Sequence, residues 1–313
     1  MTFAPHDHDA LAPPRVEEVS DGVFAYVQPD GSWCINNTGF IVGSDAFVSV
    51  DAASTERRTR AYLTAIASVT DAPVRTLVNT HSHLDHTNGN CLFGPGVTIV
   101  AHEACRADIL EAPLVANGHG PFPGVEWGAI EKAPPTLTFT DSVTLWVDDL
   151  RCELRYVGTP AHTTNDVIVW LPERSVLFAG DLVFNGGTPF NVAGSISGAR
   201  NVLEDLRALD PAVIVPGHGD VCDPSVIDPI VAYLDFVSET AAQAKTAGLT
   251  PLDAALEADL GEFAGLLDPE RLVGNLHRAY AELDGAAPGA PIGMAALTDM
   301  VQYNGGRPLR CLA

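Results

Sequence analysis

Residues 79–90 read NTHSHLDHTNGN, so His81, His83, Asp85 and His86 fall within six positions. The preceding run VRTLV (74–78) is short and β-branched, the pattern of a buried strand. Thr87, Asn88 and Gly89 predict a turn or a short helix just beyond. In extended chain, residues two apart project to the same side. His81 and His83 can therefore grip one ion, while Asp85 and His86, past the bend, face a second. The alternative is a polar loop with chance histidines. Three later segments argue against it, each setting a ligand type at the end of an apolar run. VGTPAHTTND places His162 after a strand, VLFAGDLVF places Asp181 at a strand mouth, and VIVPGHGDV places His218 in a tight turn. Carboxylates and imidazoles buried at strand ends are unfavourable unless paired or metal-bound.

Five histidines and two aspartates suit two ions. The assignment is His81, His83 and His162 on one, Asp85, His86 and His218 on the other, with Asp181 between them. Imidazole favours zinc, and the lack of cysteine ligands points to catalytic rather than structural sites. Ligand type alone leaves iron and manganese open.

The bulk numbers frame this centre. At 313 residues the chain accommodates one large layered α/β domain with an extension. Net charge is −23, from 40 acidic and 17 basic residues. With no Lys/Arg cluster, this argues against nucleic acid and anionic membrane surfaces as partners. Cys34, Cys91, Cys105, Cys152, Cys222 and Cys311 form no CxxC pair and read as reduced thiols of a cytoplasmic protein. The N-terminus shows no signal-peptide pattern, and no apolar run is long enough to span a membrane. Residues 1–17, with His6 and His8, are expected to be a flexible lead.

From Gly22 to Asp51 three apolar runs alternate with turn residues, predicting a β-meander interrupted by GSWCINNTG. A helix over 55–70 and the strand before His81 follow, then a strand at 97–100 and a helix from Glu103. Residues 112–136 form a Gly/Pro-rich connection holding His119 and Trp127, expected to wall a pocket. Strands return at 143–147, 152–157, 167–171 and 176–179, then a helix at 199–209 and a short strand at 213–215. Beyond Pro224 the pattern is helical; Ile227, Ile230, Val231, Leu234 and Val237 make an amphipathic stripe. Helices are also expected at 251–260, 269–283 and 293–303. The expected organisation is a core over 18–223, two sheets face to face with helices outside, and a helical extension over 224–313.

HSHLDH followed by His162, Asp181 and His218 resembles the metallo-β-lactamase fold superfamily. The resemblance implies a four-layered αβ/βα sandwich with a dinuclear zinc site at one edge and Asp51 as a buried supporting aspartate. The zinc β-lactamases have Cys or Ser at the position of Asp181. A bridging Asp is instead similar to hydrolase branches such as the glyoxalase II type, which disfavours lactam hydrolysis. A narrower likeness lies in GSWCINNTGFIVG, the segment from Gly158 to Phe190, GSISG, LLDPERLVGNLHRAYAEL and the terminal YNGG…CLA. These look like the metallo-β-lactamase-fold cyclases of bacterial aromatic (type II) polyketide pathways, of the kind that close the second ring in actinorhodin assembly. The resemblance implies ring closure on a poly-β-ketone, with thioester cleavage from an acyl carrier protein in some members. Ala161 before His162 departs from the superfamily's usual Gly.

Two zinc ions about 3.5–4 Å apart would activate water near neutrality and polarise carbonyls. Asp85 and Asp181 are the candidate catalytic carboxylates, Asp85 as a base and Asp181 as the bridge. An aromatic, mostly apolar pocket is expected around them. Its candidates are Trp33, Asn37, Phe184, Asn185, Phe190, Tyr303 and Asn304, with His277 as a further contact and Asn275 and Arg278 beside it. Rival expectations are a generic thioester or ester hydrolase and a non-catalytic binding module; the complete ligand set argues against the latter.

Overall fold

In the computed structural model, residues 11–114 and 122–313 are described; His6, His8 and His119 lie outside them. Strand β1 (Arg15–Ser20) runs through the end of the expected lead and pairs antiparallel with β2 (Val23–Val27). Its sequence RVEEVS has no apolar alternation because it is a half-exposed edge strand. Strands β3 (Thr38–Val42) and β4 (Phe47–Val50) complete the meander. Helix α1 (Glu56–Ala67) then crosses over, its first turn capped by Thr55, whose side chain accepts from the Arg58 N–H. Strands β5 (Val74–Val78), β6 (Thr98–His102) and β7 (Leu137–Phe139) extend the sheet in parallel, making seven strands in chain order. Helix α2 (Leu84–Thr87) follows β5, and α3 (Glu103–Glu111) follows β6.

The second sheet has five strands: β8 (Ser142–Val147), β9 (Leu150–Tyr156), β10 (Val167–Leu171), β11 (Val176–Asn185) and β12 (Val213–Gly219). All neighbours are antiparallel except β11 and β12, which run parallel and are joined through α4 (Ile196–Ala208). β10 reads VIVWL and is buried along its whole length, as a central strand covered on both faces must be. Between the sheets, Ile41, Val50, Val78 and Val100 meet Leu154, Val169, Phe178 and Val215. Helix α1 covers the first sheet with Tyr62 and Ile66. Helices α4 and α5 (Ile227–Thr246) pack on β11 of the second sheet, α6 (Pro251–Glu257) and α7 (Arg271–Leu283) pack on α5, and α8 (Ala295–Tyr303) packs on α7. The result is the expected αβ/βα sandwich with helices at its C-terminus.

Two strands are longer than their apolar runs suggest. β11 continues through Asp181 to Asn185, and β12 continues through His218. The sequence reading ends both early because Gly180, Asp181, Pro216 and Gly217 look like turn residues. Pairing is irregular there, with register shifts flanking Gly180, whose φ is +53°. In α5 the predicted stripe is buried except Val231, which is half exposed. No helix among the described residues is long and apolar enough to cross a membrane. The final residues are fastened: Leu309, Cys311, Leu312 and Ala313 are buried, and Arg58 donates 2.8 Å to the Leu312 carbonyl.

Gly39 marks a close approach of the two sheets. A β-carbon there would lie 2.2 Å from Cε1 of Phe178 and 2.9 Å from the Phe24 carbonyl. Gly39→Ala is expected to lower stability by about 1–3 kcal/mol through overpacking, measured as a fall in the urea midpoint. An unchanged midpoint would show that the sheets part freely at this position.

Candidate metal centre

Asp51 begins the construction. It closes β4 in a left-handed conformation (φ 60°), which turns its carboxylate back under the β5 loop. There it accepts from the Thr80 N–H and hydroxyl, both at 2.7 Å, and from Nδ1 of His86 at 2.8 Å. The Thr80 hydroxyl, having donated to Asp51, accepts from Nδ1 of His81 at 3.1 Å. His162, in the β9–β10 loop, donates through Nδ1 to the Phe190 carbonyl, and His218 on β12 donates through Nδ1 to the Gly31 carbonyl at 3.0 Å. Each of these four rings has its outer nitrogen engaged, which leaves Nε2 facing a common interior. His83 presents Nδ1 instead, 2.7 Å from Nε2 of His162.

The structure thus brings all seven sequence-predicted ligands together. The donor atoms of His81, His83, His162 and Asp181 lie within 4.8 Å of one another, and so do those of Asp85, His86 and His218. Asp181 is central: Nε2 of His86 is 3.0 Å from its carboxylate, that of His162 3.3 Å, His218 3.4 Å and His81 3.9 Å. Asp85 lies 3.3 Å from Nε2 of His218. Among the described residues, His81 Nε2 is buried without a hydrogen-bond partner, and His86 Nε2 and Asp181 Oδ1, 3.0 Å apart, face each other without hydrogen-bond geometry. Orphaned polar atoms in a dry interior are unfavourable unless something binds them. The set fits metal ions, since imidazole and carboxylate donors without thiolate suit zinc and its neighbours.

The electrostatics agree. Burial lowers the His162 pKa to about 3 and also pushes His81 well below its ordinary value. Burial works in the same sense on His86 and His218, but Asp181, with Asp51 or Asp85, outweighs it; His218 rises to about 9. Burial would raise both carboxylates, yet the surrounding imidazoles hold Asp181 well below the usual range and Asp85 at about 2. Ionised carboxylates therefore sit in the centre, where a cation would replace the protons they draw onto His86 and His218.

Against this cluster lies a cavity of about 130 Å³. Trp33, Phe184 and Phe190 line it, together with Phe122 and Arg271. Phe184 stacks on His218, with centroids 5.1 Å apart and planes at 7°. Phe190 stands edge-on to Trp33 at 5.1 Å. The remaining pocket candidates do not line this cavity. Asn37 is buried beneath it, bonding the Pro216 and Gly219 carbonyls and the Gln28 N–H, so it fastens the His218 loop. Asn185 donates to the Asp220 carbonyl. His277 pairs with Asp299 at 2.8 Å on the helical layer. Asn304 closes the end of α8 by donating to the Arg307 and Pro308 carbonyls, and Tyr303 packs on the helical core. Asn275 holds the loop of Phe190 by bonding the Pro189 carbonyl and the Asn191 N–H. Trp127 is core, 1% exposed.

Arg271 is the residue that sequence reading missed. At the start of α7 it reads as an ordinary helix cation. In the fold it is 1% exposed, its guanidinium 4.1 Å above Trp33 and 5.1 Å from the Phe184 ring centroid. Asp268 pairs with it at 2.9 Å, and the Thr188 carbonyl accepts at 3.0 Å. Glu270, the preceding residue, accepts from Nε1 of Trp33 at 2.7 Å. The pattern DPER opening a helix was the available signal, readable only with Trp33 known to be opposite.

With this geometry the family comparison is unambiguous. The profile of the Metallo-beta-lactamase superfamily matches residues 31–218, and the chain belongs to that superfamily. It is 30% identical over 209 residues to the 2,4-dinitroanisole O-demethylase subunit alpha of Nocardioides sp. (strain JS1661), covering 65% of this chain and 55% of that protein. Identity is 25% over 224 residues to the metallo-beta-lactamase type 2 of Bacteroides fragilis, covering 68% of this chain and 82% of that one. With the hydroxyacylglutathione hydrolase of Rhodospirillum rubrum it is 29% over 158 residues, 49% of this chain and 53% of that protein. The chain thus spans about half the length of two of these relatives. Among solved structures, a metallo-beta-lactamase from Pontibacter korlensis superposes with a TM-score of 0.59 at 22% identity, covering 71% of this chain and 99% of that one.

Gly217 leaves room for the central carboxylate, because a β-carbon there would fall 1.9 Å from Oδ1 of Asp181. Gly217→Ala is expected to displace Asp181 and lower bound metal while keeping every ligand residue. Elemental analysis alongside circular dichroism checks this; full metal content in a folded variant would show that Asp181 has another position available.

Proposed function

We propose that the protein is a dinuclear zinc enzyme that closes a ring on a poly-β-ketone intermediate of aromatic polyketide biosynthesis. Where that intermediate is an acyl carrier protein thioester, the same site would cleave it. One observation carries the reading: an aromatic box of Trp33, Phe122, Phe184 and Phe190, with the Arg271 guanidinium, stands directly on the ligand cluster. Flat, π-rich and oxygen-decorated substrates suit such walls. Arg271 and Glu270 lie beyond the residues that define the superfamily, in the region whose sequence resembles the polyketide cyclases.

His81, His83 and His162 would hold one zinc, Asp85, His86 and His218 the other, with Asp181 between them; bound zinc supplies Lewis acidity and lowers the pKa of water. Trp33 and Phe184 clamp the planar part of the substrate. Arg271, whose Nε is buried and has no partner among the described residues, offers a donor to a substrate oxygen as negative charge develops. Asp85, kept ionised at the cavity floor, takes a proton from a methylene flanked by two carbonyls. The carbanion so formed bonds to a ketone carbon further along the chain, the resulting alkoxide takes the proton back from Asp85, and loss of water from the alcohol aromatises the ring. For a thioester, water adds to the carbonyl and the thiol departs.

A second reading, thioester hydrolysis without ring closure, is supported by the likeness to hydroxyacylglutathione hydrolase and by an Asp at position 181. Metal content tests the centre that both readings share, and product analysis separates them. Elemental analysis of the replete protein is expected to give about two zinc ions per chain. Incubation with a bicyclic substrate bearing a tricarbonyl side chain is expected to yield a product lighter by one water, detected by mass spectrometry. Hydrolysis of simple thioesters with no ring formation would leave the hydrolase reading standing alone.

Removing the clamp should act on binding. Trp33→Ala is expected to raise KM for the bicyclic substrate about two- to tenfold, the worth of one aromatic contact, with metal content unchanged. An unaltered KM would take Trp33 out of substrate binding.

A further inference from the structure

A second cavity, of about 480 Å³, opens on the far side of His83 and Phe190, the two residues it shares with the aromatic box. Its walls are mostly apolar, including Val192, Ile292, Leu297 and Met300, and Met294 at the rim is 74% exposed. Two charged groups line it, the Asp108 carboxylate, which accepts from Ser82 and Asn165, and a guanidinium. Arg278 on α7 is fully buried; its Nε donates to the Val192 carbonyl and its Nη2 to the Val192 and Ala290 carbonyls. Its Nη1 is buried with no hydrogen-bond partner among the described residues. A guanidinium N–H left unpaired beside an apolar cavity is unfavourable until an acceptor arrives.

We infer that this annex is a second subsite, which takes the distal apolar part of a substrate whose reacting carbonyl lies in the aromatic box, and that Nη1 of Arg278 hydrogen-bonds an oxygen on that distal part. The preferred substrate is then an extended acyl or polyketone chain with a ketone or carboxylate remote from the reacting end. Such a chain would pass between His83 and Phe190. The inference rests on the reading of the metal centre as the place where acyl or polyketone carbonyls react.

The test uses binding, so it is independent of turnover. Alkyl hydroxamic acids, which anchor on zinc through their head group, are titrated calorimetrically into the zinc-loaded protein as a series of rising chain length. Matched chains carrying a ketone near the far end form a second series. Affinity is expected to rise about tenfold or more from the four-carbon to the eight-carbon member as methylenes leave water, and the ketone should add a further several-fold gain. Ala193→Trp, at a partly exposed position on the annex wall, should abolish both gains and leave the four-carbon compound unaffected. Leu297→Trp provides the same block on a different element should the first variant misfold. A flat length series, or gains that survive both blocking variants, would overturn the annex. Indifference to the ketone in the unaltered protein would overturn the role of Arg278. Full binding behaviour with no turnover of any carbonyl substrate would instead count against the proposed reaction and leave the subsite standing.

Discussion

The carboxylate of Asp181 is held ionised, almost out of water, among four imidazoles. Nearly everything distinctive about this fold follows from placing one negative charge there. It sits inside a long strand, so β11 must run on past its apolar stretch. The parallel partner β12 must pass close enough to bring His218 alongside, which requires a glycine at 217. The opposite sheet answers with Asp51, whose left-handed backbone points a second carboxylate at Thr80 and His86. The two sheets therefore meet at the seam through charge as well as through apolar packing. The charge is tolerable because each imidazole is oriented by a fixed partner behind it.

How much of this could be read in advance depended on how narrowly chemistry limits each position. Groups able to hold a metal come from few residue types at strict spacings, so the seven side chains that the structure clusters could be picked out from the sequence. The central strands were legible too, since burial on both faces forces continuous apolar runs. Edge strands escape that rule: β1 is half exposed, and β7 carries Leu137 at 41% exposure. Asparagines were the poorest guide. Asn37 and Asn185 look like substrate donors in sequence, yet both spend their amides on backbone carbonyls of the 216–220 segment. Nothing local distinguishes these uses of an amide. Arg271 shows the converse, because only tertiary packing sets it beneath an indole.

The aromatic box depends on fastenings far away in sequence. Trp33 is held by Glu270 through its indole N–H, by Arg271 over its face and by the Cys311 thiol at its carbonyl. Phe190 stands on a loop that Asn275 pins from α7. The Phe190 carbonyl in turn orients His162. A single short loop thus joins a cavity wall to a metal ligand, and α7 supports both.

The match to the superfamily ends at residue 218, while α7 and the buried final residues lie beyond it. The cavity is built from both stretches, Trp33, Phe122, Phe184 and Phe190 standing within the match and Arg271 beyond it. A change in α7 therefore reaches the ligand cluster as well as the cavity, through Asn275, the Phe190 loop and His162.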